Sequence, residues 1–584
     1  MPKFRSGYSR KRKFHGNQFS RDAESKRRKA STTTGEHSSA SAKKINLTES
    51  GRSKDRSKSQ DTGIHGFRFV DMDILAAVMK KLPCKECAEL ELTLCEDDSN
   101  RKGCASSLSL QCSSCGWTEE FYTSSQVKHY YEVNRRFVYA MRSVGCGSTA
   151  AKRFCGIMNM PPPPRSSPYS NHNKALLKVV QEVAQETMTN AGREIKQIKP
   201  SSDNGLTQCG VSCDGTWQRR GFSSLNGCVT VISMDTGKCL DVEPLSKVCK
   251  KCKQHEDDKN TPENAAWKAE HAPNCKANHK GSAPAMETAG ARRIFNRSID
   301  VHALQYTEYF GDGDSKGFDE VKDTYLEDYD MEVKKKECVG HVQKRLGTAL
   351  RKLKKEKKGL GGKGKLTNNT IDKLQNYYGI AIRSNKGDLA GMKKAIYASL
   401  MHCASSKDLP LHDHCPDGKE SWCGFKRDKA NKTNLFKPGP GLPKRIIAEL
   451  KPIYLRLSND DLLCKCLDGK TQNQNESLNG MIWCRLPKGV FVGSDLLKLG
   501  IYDAVSHFNV GAKAVINVLN KLGIKPGSYT EDACKDTDKL RVSKANYKAK
   551  EINKKRRKVI RGRKKKKEDT NEEKEGETYA SGSF

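Results

Sequence analysis

The sequence predicts an α/β fold, because β-rich and helical stretches alternate in a distinctive order in the middle of the chain. Three consecutive β-rich stretches are followed by a stretch with helical spacing and then by a fourth β-rich stretch. In chain order they occupy residues 206–214, 225–234, 239–248, 282–299 and 304–310. This β, β, β, α, β order is that of an RNase H-like fold, in which the first and fourth strands lie side by side.

Acidic residues stand where two of these stretches end. Asp214 is the last residue of the first stretch, and Asp312 follows the fourth stretch after a single glycine. Asp-Gly pairs also form turns, but two strands that lie side by side would bring these carboxylates together. Asp314 is an alternative to Asp312, which is preferred because it stands closer to the apolar strand.

A third acidic residue lies much further along the chain. Glu476 falls in a stretch at 473–483 that can form a helix with Glu476 and Asn479 on one face. Cleavage of a phosphodiester by two Mg²⁺ or Mn²⁺ ions needs hard oxygen ligands that hold the ions about 3.5–4 Å apart. We therefore predict a catalytic site in which Asp214, Asp312 and Glu476 hold Mg²⁺ or Mn²⁺.

Two Cys-x2-Cys motifs in residues 66–125 indicate a zinc site. Such motifs at this separation are typical of a zinc ribbon, in which four thiolates hold Zn²⁺ and substitute for a core too small to fold alone. Cys95 and Cys104 lie between the motifs and are alternative ligands. The preferred ligands are Cys84, Cys87, Cys112 and Cys115.

Two further groups of cysteines and histidines have less regular spacing. A Cys-x2-Cys motif followed by His-x3-Cys predicts a second Zn²⁺ site, for which His255 and His279 are surplus candidates. Its preferred ligands are Cys249, Cys252, His271 and Cys275. A third group, weaker than the other two, is either a metal site or a packing cluster, and it comprises His412, His414, Cys415, Trp422 and Cys423.

The charge of the chain indicates a polyanionic partner. Its 584 residues include 106 Lys and Arg against 69 Asp and Glu, which gives a net charge of +37. The basic clusters near both ends are compatible with nuclear import or with non-specific DNA contacts. A basic helix predicted at 331–358 is suited to phosphate contact, or it is a solvated face.

The lengths of the apolar runs and the cysteine content indicate where the protein is located. No apolar run approaches the ~20 residues that a membrane span needs, so we expect an intracellular protein without a membrane partner. Its 23 cysteines are then better interpreted as reduced thiols, several of them metal ligands, than as a disulfide framework.

The predicted organisation has seven parts. The helices expected at 126–159 form either a helix-turn-helix that reads the DNA major groove or, by preference, an ordinary helical hairpin. Beyond Asp312 we expect no fifth strand for a long way. The parts are a disordered basic tail at 1–65, a zinc-ribbon-like domain at 66–125, a helical hairpin or helix-turn-helix at 126–165, the first part of the catalytic domain with a zinc-knuckle insertion at 166–319, a helical insertion at 320–465, the end of the catalytic domain at 466–530 and a basic disordered tail at 531–584.

A set of motifs in this order resembles the Mutator-like transposases of animal genomes over about residues 67–522. The motifs are Cys-Asp-Gly-Thr-Trp-Gln, Gly-Asp-Gly-Asp-Ser-Lys, Cys-x2-His, His-x-His-Cys-Pro, Trp-Cys and Asn-Glu-Ser-Leu-Asn-Gly. The resemblance implies an RNase H-like fold with a helical insertion and a divalent-metal triad of Asp214, Asp312 and Glu476. It also implies that Cys338 and His341 are the accessory Cys-x2-His pair of that family.

The predicted function is a nuclear DNA transposase that acts on the terminal repeats of its element and on target DNA, and that forms a homo-oligomer on DNA. In this hypothesis, metal-activated water attacks the phosphodiester at the element end, and the freed 3′-hydroxyl then attacks target DNA. The alternative is a catalytically inactive, transposase-derived nuclear DNA-binding protein. A zinc-ribbon RNA-binding factor would explain the charge but would leave the ordered acidic residues as coincidence.

Overall fold

The computed structural model describes residues 39–45, 64–202, 204–219, 223–255, 261–311, 316–362, 364–554, 556–557 and 559–562. Most of the predicted N-terminal tail lies outside these ranges. The chain divides into two compact units, one of residues 1–42 with 542–584 and the other of residues 43–541. In the first unit, the backbone N–H of Ser39 donates to the side-chain oxygen of Asn546 over 3.4 Å.

The N-terminal part of the described chain contains two small sheets and several helices. Strands β1, β2 and β3 form an antiparallel sheet in that order, and β4 and β5 form a two-stranded hairpin. The first two helices after these sheets agree with the predicted hairpin, and a long helix follows them. The elements are α1 (Ala40–Lys44), α2 (Met72–Met79), β1 (Leu92–Glu96), β2 (Ser107–Cys112), β3 (Thr118–Tyr122), β4 (Gln126–Val127), β5 (Tyr130–Tyr131), α3 (Glu132–Ser143), α4 (Ser148–Ile157) and α5 (Ser166–Ile198).

A five-stranded mixed sheet lies at the centre of the larger unit. The predicted β, β, β, α, β order is confirmed, although the helix is interrupted at Arg297. The elements are β6 (Thr207–Trp217), β7 (Asn226–Ser233), β8 (Cys239–Ser246), α6 (Lys250–Gln254), α7 (Pro262–His271), a 3₁₀ turn (Ala272–Asn274), α8 (Ala285–Asn296), α9 (Ser298–His302), β9 (Leu304–Gly311), α10 (Lys316–Val321), α11 (Leu326–Tyr329) and β10 (Lys334–Glu337).

The order of strands in this sheet is β10-β9-β6-β7-β8. β6, β7 and β8 are antiparallel neighbours, whereas β9 runs parallel to both β6 and β10. The first and fourth strands of the predicted series, β6 and β9, therefore lie side by side. Every residue of β7 is buried, as expected for a strand that is covered by helices on both faces.

The fifth strand corrects the sequence analysis, which expected none for a long way beyond Asp312 and a helix from residue 331. β10 is a lysine-rich edge strand, and the helix begins only at Val339. The run Lys334-Lys335-Lys336 shows no apolar alternation, and charged residues of this kind are typical of sheet edges. Lys336 is held by Glu308 at 3.3 Å and by Asp468 at 2.9 Å.

A helical region separates β10 from the helix that carries Glu476. Its helices bury a hydrophobic core of their own, which includes Val342, Leu346, Tyr378 and Leu450. The helices are α12 (Val339–Glu356), α13 (Asn368–Ser384), α14 (Leu389–Ala404), α15 (Gly424–Asn431), α16 (Lys444–Leu457) and α17 (Asp460–Cys464).

Two of the last four helices cover one face of the central sheet. Side chains of α18 and α19, among them Leu478 and Phe508, pack against Cys228 and Ile232 of β7. The opposite face is covered by α8 through residues such as Ile294. The helices are α18 (Asn473–Arg485), α19 (Ser494–Val510), α20 (Lys513–Lys521) and α21 (Ser528–Ala549).

Three local predictions differ from this structure. Residues 531–549, assigned to a disordered tail, belong to α21, and Asp538 of that helix accepts hydrogen bonds from the backbone N–H of Ala512 at 2.9–3.0 Å. Residues 40–44, assigned to the other tail, form α1, where Lys44 donates to Gln474 over 2.6 Å. The first predicted strand, expected to end at Asp214, continues to Trp217 in β6. Among the described residues, no helix is both long and apolar enough to cross a membrane.

Candidate active site and metal centres

Asp214 lies within β6, three residues before the strand ends at Trp217, in the middle of the central sheet. It is paired with Thr230 of β7 on one side. On the other side β6 runs parallel to β9, with Ser212 paired with Phe310, and β9 ends one residue later. Asp312 and Asp314, the two candidates for the second acid, lie outside the described residues. The structure thus brings the chain just before Asp312 to the strand that carries Asp214.

Residues at the start of helix α18 form hydrogen bonds with β6 and β9 beside Asp214. Just before the helix, the side-chain Nε2 of Gln472 donates to the carbonyl of Cys213 over 3.0 Å and to that of Phe310 over 3.5 Å. In its first turn, the side-chain amide of Asn475 donates to the carbonyl of Ser212 over 3.2 Å. These bonds satisfy backbone acceptors of β6 next to Asp214 and of β9 next to its end, and they fix where the first turn of α18, which carries Glu476, lies against the sheet.

The carboxyl of Asp214 has a strongly perturbed environment. Burial is the largest of the effects that raise its pKa to about 7, and the negative charges of Glu287 and Glu476 act in the same direction. Asn479 donates a hydrogen bond to its Oδ2 over 2.7 Å, and this bond and the charge of His341 oppose the shift. A carboxylate crowded by other carboxylates in a buried place is the arrangement that a bound cation would stabilise.

Glu287 was missed by the sequence analysis. It lies in the first turn of α8, and its side chain packs over the backbone of Gly215, where an added Cβ would lie 3.1 Å from the Cβ and 3.3 Å from Oε2 of Glu287. Gly215 therefore leaves the room that lets this carboxylate approach Asp214. No motif marks Glu287 in the sequence, because its proximity to Asp214 depends on how α8 packs across the sheet.

Cys338 and His341, the predicted accessory pair, lie at the start of α12 beside this site. The Sγ of Cys338 accepts a hydrogen bond from the backbone N–H of Gln472 over 3.4 Å. His341 lies close enough to Asp214 to affect its pKa. The pair therefore connects the helical region to the residues that position Glu476.

Close groups of metal-binding side chains are found outside this acidic site. Among the described residues, groups of three or more His, Cys, Asp or Glu with ligand atoms within 4.8 Å of one another are formed by cysteines and histidines. Asp214 and Glu476 interact electrostatically, but they do not form such a group with a third described carboxylate.

The four cysteines preferred for the zinc ribbon lie together. The Sγ atoms of Cys84 and Cys115 are 3.7 Å apart, and those of Cys87 and Cys112 are 3.6 Å apart. A tight turn at the first knuckle lets the backbone N–H of Glu86 donate to the sulfur of Cys84 over 3.5 Å. The donor set and spacing fit tetrahedral Zn²⁺. Cys95 and Cys104 are not members of the group.

We expect Cys87→Ser to remove one zinc ion per chain and to unfold the ribbon. The apolar cluster here is small, with only Cys84, Leu92 and Cys112 fully buried, and a structural Zn²⁺ contributes about 10–16 kcal/mol to folding in comparable modules. Zinc measured by mass spectrometry and limited proteolysis within 66–125 would test this. Cys95→Ser is the matched control. Equal zinc content and equal proteolysis in wild type, Cys87→Ser and Cys95→Ser would contradict the assignment.

The second predicted ligand set is also brought together. Cys249 Sγ lies 3.3 Å from His271 Nε2, and Cys252 Sγ lies 3.5 Å from Cys275 Sγ. The surplus histidines have other contacts. His255 stacks on Trp267 with ring centroids 4.0 Å apart, and the Nε2 of His279 lies 2.9 Å from the carbonyl oxygen of Ser282. The three sulfurs and one nitrogen fit Zn²⁺.

Basic side chains of the predicted DNA-binding helices divide into two sets. In α3, the guanidinium of Arg135 is bonded to His172 over 2.8 Å and that of Arg142 to Asn173 over 2.9 Å, both on α5. These arginines therefore stabilise a helical hairpin packed on α5, which is the preferred alternative. Exposed basic side chains are found in α4 and α12, and they comprise Lys152, Arg153, Lys344, Arg351, Lys352 and Lys355.

Comparison with known proteins identifies the family. The model of the Mutator-like transposases matches residues 66–423, more than half of the chain. The chain belongs to the Mutator-like transposase family, which implies DNA binding and, in general terms, transposition activity. The match ends before Glu476. Searches of curated proteins and of solved structures give no match.

Proposed function

We propose that this protein is a DNA transposase that cleaves and joins strands at the ends of its element, with divalent metal ions held by Asp214, Asp312 and Glu476. Membership of the family supports the general function. The observation that carries the specific proposal is the anchoring of α18 by Gln472, which bonds to β6 at the residue before Asp214 and to β9 at the residue before its end. One polar side chain thus ties the Glu476 helix both to the strand that carries Asp214 and to the strand that precedes Asp312 in sequence.

The central sheet supports an RNase H-like assignment of this domain. Its first three strands are antiparallel and consecutive, and the fourth and fifth are added in parallel beside the first. In such a sheet, residues at the carboxyl ends of β6 and β9 share one edge. The helical region between β10 and α18 supports an insertion, but one that begins later than the predicted 320–465, because β10 (Lys334–Glu337) belongs to the central sheet.

The residues around Asp214 have distinct roles in this proposal. Asp214 supplies oxygen ligands, and Asn479 fixes the orientation of its carboxylate through the 2.7 Å hydrogen bond. Mg²⁺ or Mn²⁺ bound there would stabilise both the attacking and the leaving oxygen of the phosphodiester. Because burial and neighbouring carboxylates hold the pKa of Asp214 near 7, the site takes up either a proton or a cation.

The remaining parts of the proposal concern partners and location. DNA of the element ends and target DNA are the proposed partners, and two Zn²⁺ ions stabilise the modules at 66–125 and 249–275. The exposed lysines of α12 are positioned on a helix suited to phosphate contact. We further propose a nuclear location and assembly as a homo-oligomer on DNA.

The proposal is tested with purified full-length protein, Mn²⁺ and end-labelled DNA from the regions that flank the coding sequence. We expect strand cleavage at the element ends, and we expect Asp214→Ala to lower its rate by more than about 100-fold, because loss of a ligand exceeds the 10–100-fold effect of an outer-shell change. Asp300→Asn, an exposed acidic residue on α9, is the matched control. Equal cleavage by wild type and Asp214→Ala would reject catalysis at this site. Intact DNA binding without cleavage by wild type would favour the inactive DNA-binding protein instead.

A further inference from the structure

A third group of nitrogen and sulfur donors meets in the helical region, far along the chain from the other two. His402 lies in the last turn of α14, and His412, Cys415 and Cys423 lie in the segment that follows it. One ligand atom from each residue lies within 4.8 Å of all the others. The sequence motif here is compatible with either a metal site or a packing cluster, and His402 lies outside that motif.

The separations of these donors match a tetrahedral metal site. With Zn–N near 2.0–2.1 Å and Zn–S near 2.3 Å, tetrahedral ligands lie about 3.3–3.8 Å apart. The two Nδ1 atoms of His402 and His412 are 3.2 Å apart. The Sγ of Cys423 lies 3.6 Å and 3.5 Å from these two nitrogens, and the Sγ of Cys415 lies 3.8 Å from that of His402. The two predicted zinc clusters show the same range, 3.3–3.7 Å.

Surrounding hydrogen bonds orient the ligands. The hydroxyl of Ser405 is bonded to Nε2 of His412 over 2.9 Å, which leaves Nδ1 of that ring directed at the cluster. The backbone N–H of Leu411 donates to the same hydroxyl over 3.1 Å. Such outer partners fix the ring orientation of metal-binding histidines. A packing cluster of apolar side chains would not need this arrangement.

The segment that carries three of the ligands has little core of its own. Between α14 and α16, residues 405–443 contain only the short helix α15, and their fully buried apolar side chains are Cys415, Cys423 and Leu442. Two of these three are members of the donor group. A metal ion can stabilise a segment whose hydrophobic core is too small to do so. Zn²⁺ bound to this donor group would therefore contribute folding free energy that the apolar side chains of the segment do not supply.

We propose that His402, His412, Cys415 and Cys423 bind a third Zn²⁺ ion, which ties the segment 405–443 to the end of α14. Four protein ligands leave no open coordination position, so the site is structural. His414, which the sequence motif also offered, is exposed, and its ring packs edge-on against Tyr397 with centroids 5.0 Å apart. The second histidine of the group is therefore His402 from the preceding helix, not His414 of the motif.

The zinc content of purified full-length protein tests this assignment. We expect the double variant Cys415→Ser and Cys423→Ser to contain one zinc ion per chain less than wild type. His414→Ala is the matched control, because it removes a neighbouring histidine outside the cluster, and it should keep all the zinc. The single variant Cys423→His, which retains a ligand atom, should also keep it. Equal zinc in wild type and in the double variant would overturn the proposal.

A measurement on wild type alone covers the case in which the double variant fails to fold. With three occupied clusters, nine of the twelve zinc ligands are sulfur, so X-ray absorption at the zinc edge should show an average of three sulfurs per ion. Occupation of the first two clusters only would give seven sulfurs among eight ligands. The higher sulfur average, together with two zinc ions per chain, would also overturn the proposal.

Discussion

Asp214→Asn is expected to make the metal-free protein more stable while abolishing strand cleavage. The folded-state pKa of Asp214 is about 7. At pH 8 its carboxylate is therefore ionised, and it lies beside Glu287 and Glu476. The amide is uncharged, and its oxygen can still accept the hydrogen bond from Asn479. One pKa unit corresponds to about 1.4 kcal/mol, and we expect a gain of about 2 kcal/mol, less than the whole shift would give, because solvent reaches this half-buried side chain and screens its charge.

The pH dependence of this gain has a defined sign. The folded-state pKa of Asp214 lies above its ordinary value of 3.8, so the folded protein binds a proton more tightly than the unfolded chain. The destabilisation is fully present above pH 7 and is relieved as the pH falls from about 7 towards 3.8. The difference between wild type and Asp214→Asn should therefore shrink at pH 5.

Thermal unfolding with and without Mn²⁺ measures both effects. Mn²⁺ should raise the unfolding midpoint of wild type at pH 8, because it binds the folded site, and it should leave that of Asp214→Asn nearly unchanged. Asp300→Asn controls for the loss of one negative charge at an exposed position of α9. A variant that is less stable than wild type at pH 8, or that responds equally to Mn²⁺, would contradict this account of the site.

Asp503→Ala is expected to cost about 3–5 kcal/mol of stability, the range for breaking a buried ion pair by removal of one partner. Asp503 of α19 is 4% exposed. Its carboxylate accepts a hydrogen bond from Tyr139 over 2.9 Å and another from Arg485, and His507 Nδ1 lies 3.5 Å away. The carboxylate thus joins α3, α18 and α19, and its loss would leave Arg485 buried without a counter-charge.

The titration of this group gives a second prediction from the same contacts. Burial alone would raise the pKa of Asp503, but the charges of His507 and Arg485 outweigh it and hold the pKa below its ordinary value of 3.8. The stabilisation is therefore present above pH 3.8 and is lost as the pH falls through the lower folded-state value.

Denaturant unfolding would measure the loss, and a double-mutant cycle would apportion it. Arg485→Met in the Asp503→Ala background should recover part of the stability, because no charge then remains unpaired. Asp495→Ala on the same helix is the matched control, since its pair with Lys276 is about half exposed and should contribute less than about 1 kcal/mol. A cost as small for Asp503→Ala as for Asp495→Ala would show that the network does not support α18.

The metal clusters show how far spacing along the chain determines a site. Cys-x2-Cys motifs fix two sulfurs within one turn of backbone, so the ribbon ligands and the set around Cys249 were predictable from local sequence. The third cluster needed His402, ten residues before the nearest other ligand and on a different element. Its participation depends on where the chain turns back after α14, which local spacing does not encode.

In the acidic site, too, some features follow from local sequence and others depend on tertiary packing. The sequence determined by itself the order of the first four strands of the central sheet and of the helix before the fourth, because period-two and period-3.6 apolar patterns are local, and it marked Asp214 and Glu476 through the elements that carry them. Only the tertiary structure decided that Glu287 approaches Asp214, that Gln472 bonds to two neighbouring strands and that a lysine-rich stretch forms the edge strand β10. Each of these depends on the packing of α8, α18 or the sheet edge against residues distant in sequence, and the free energy of such contacts does not appear in any short window of the chain.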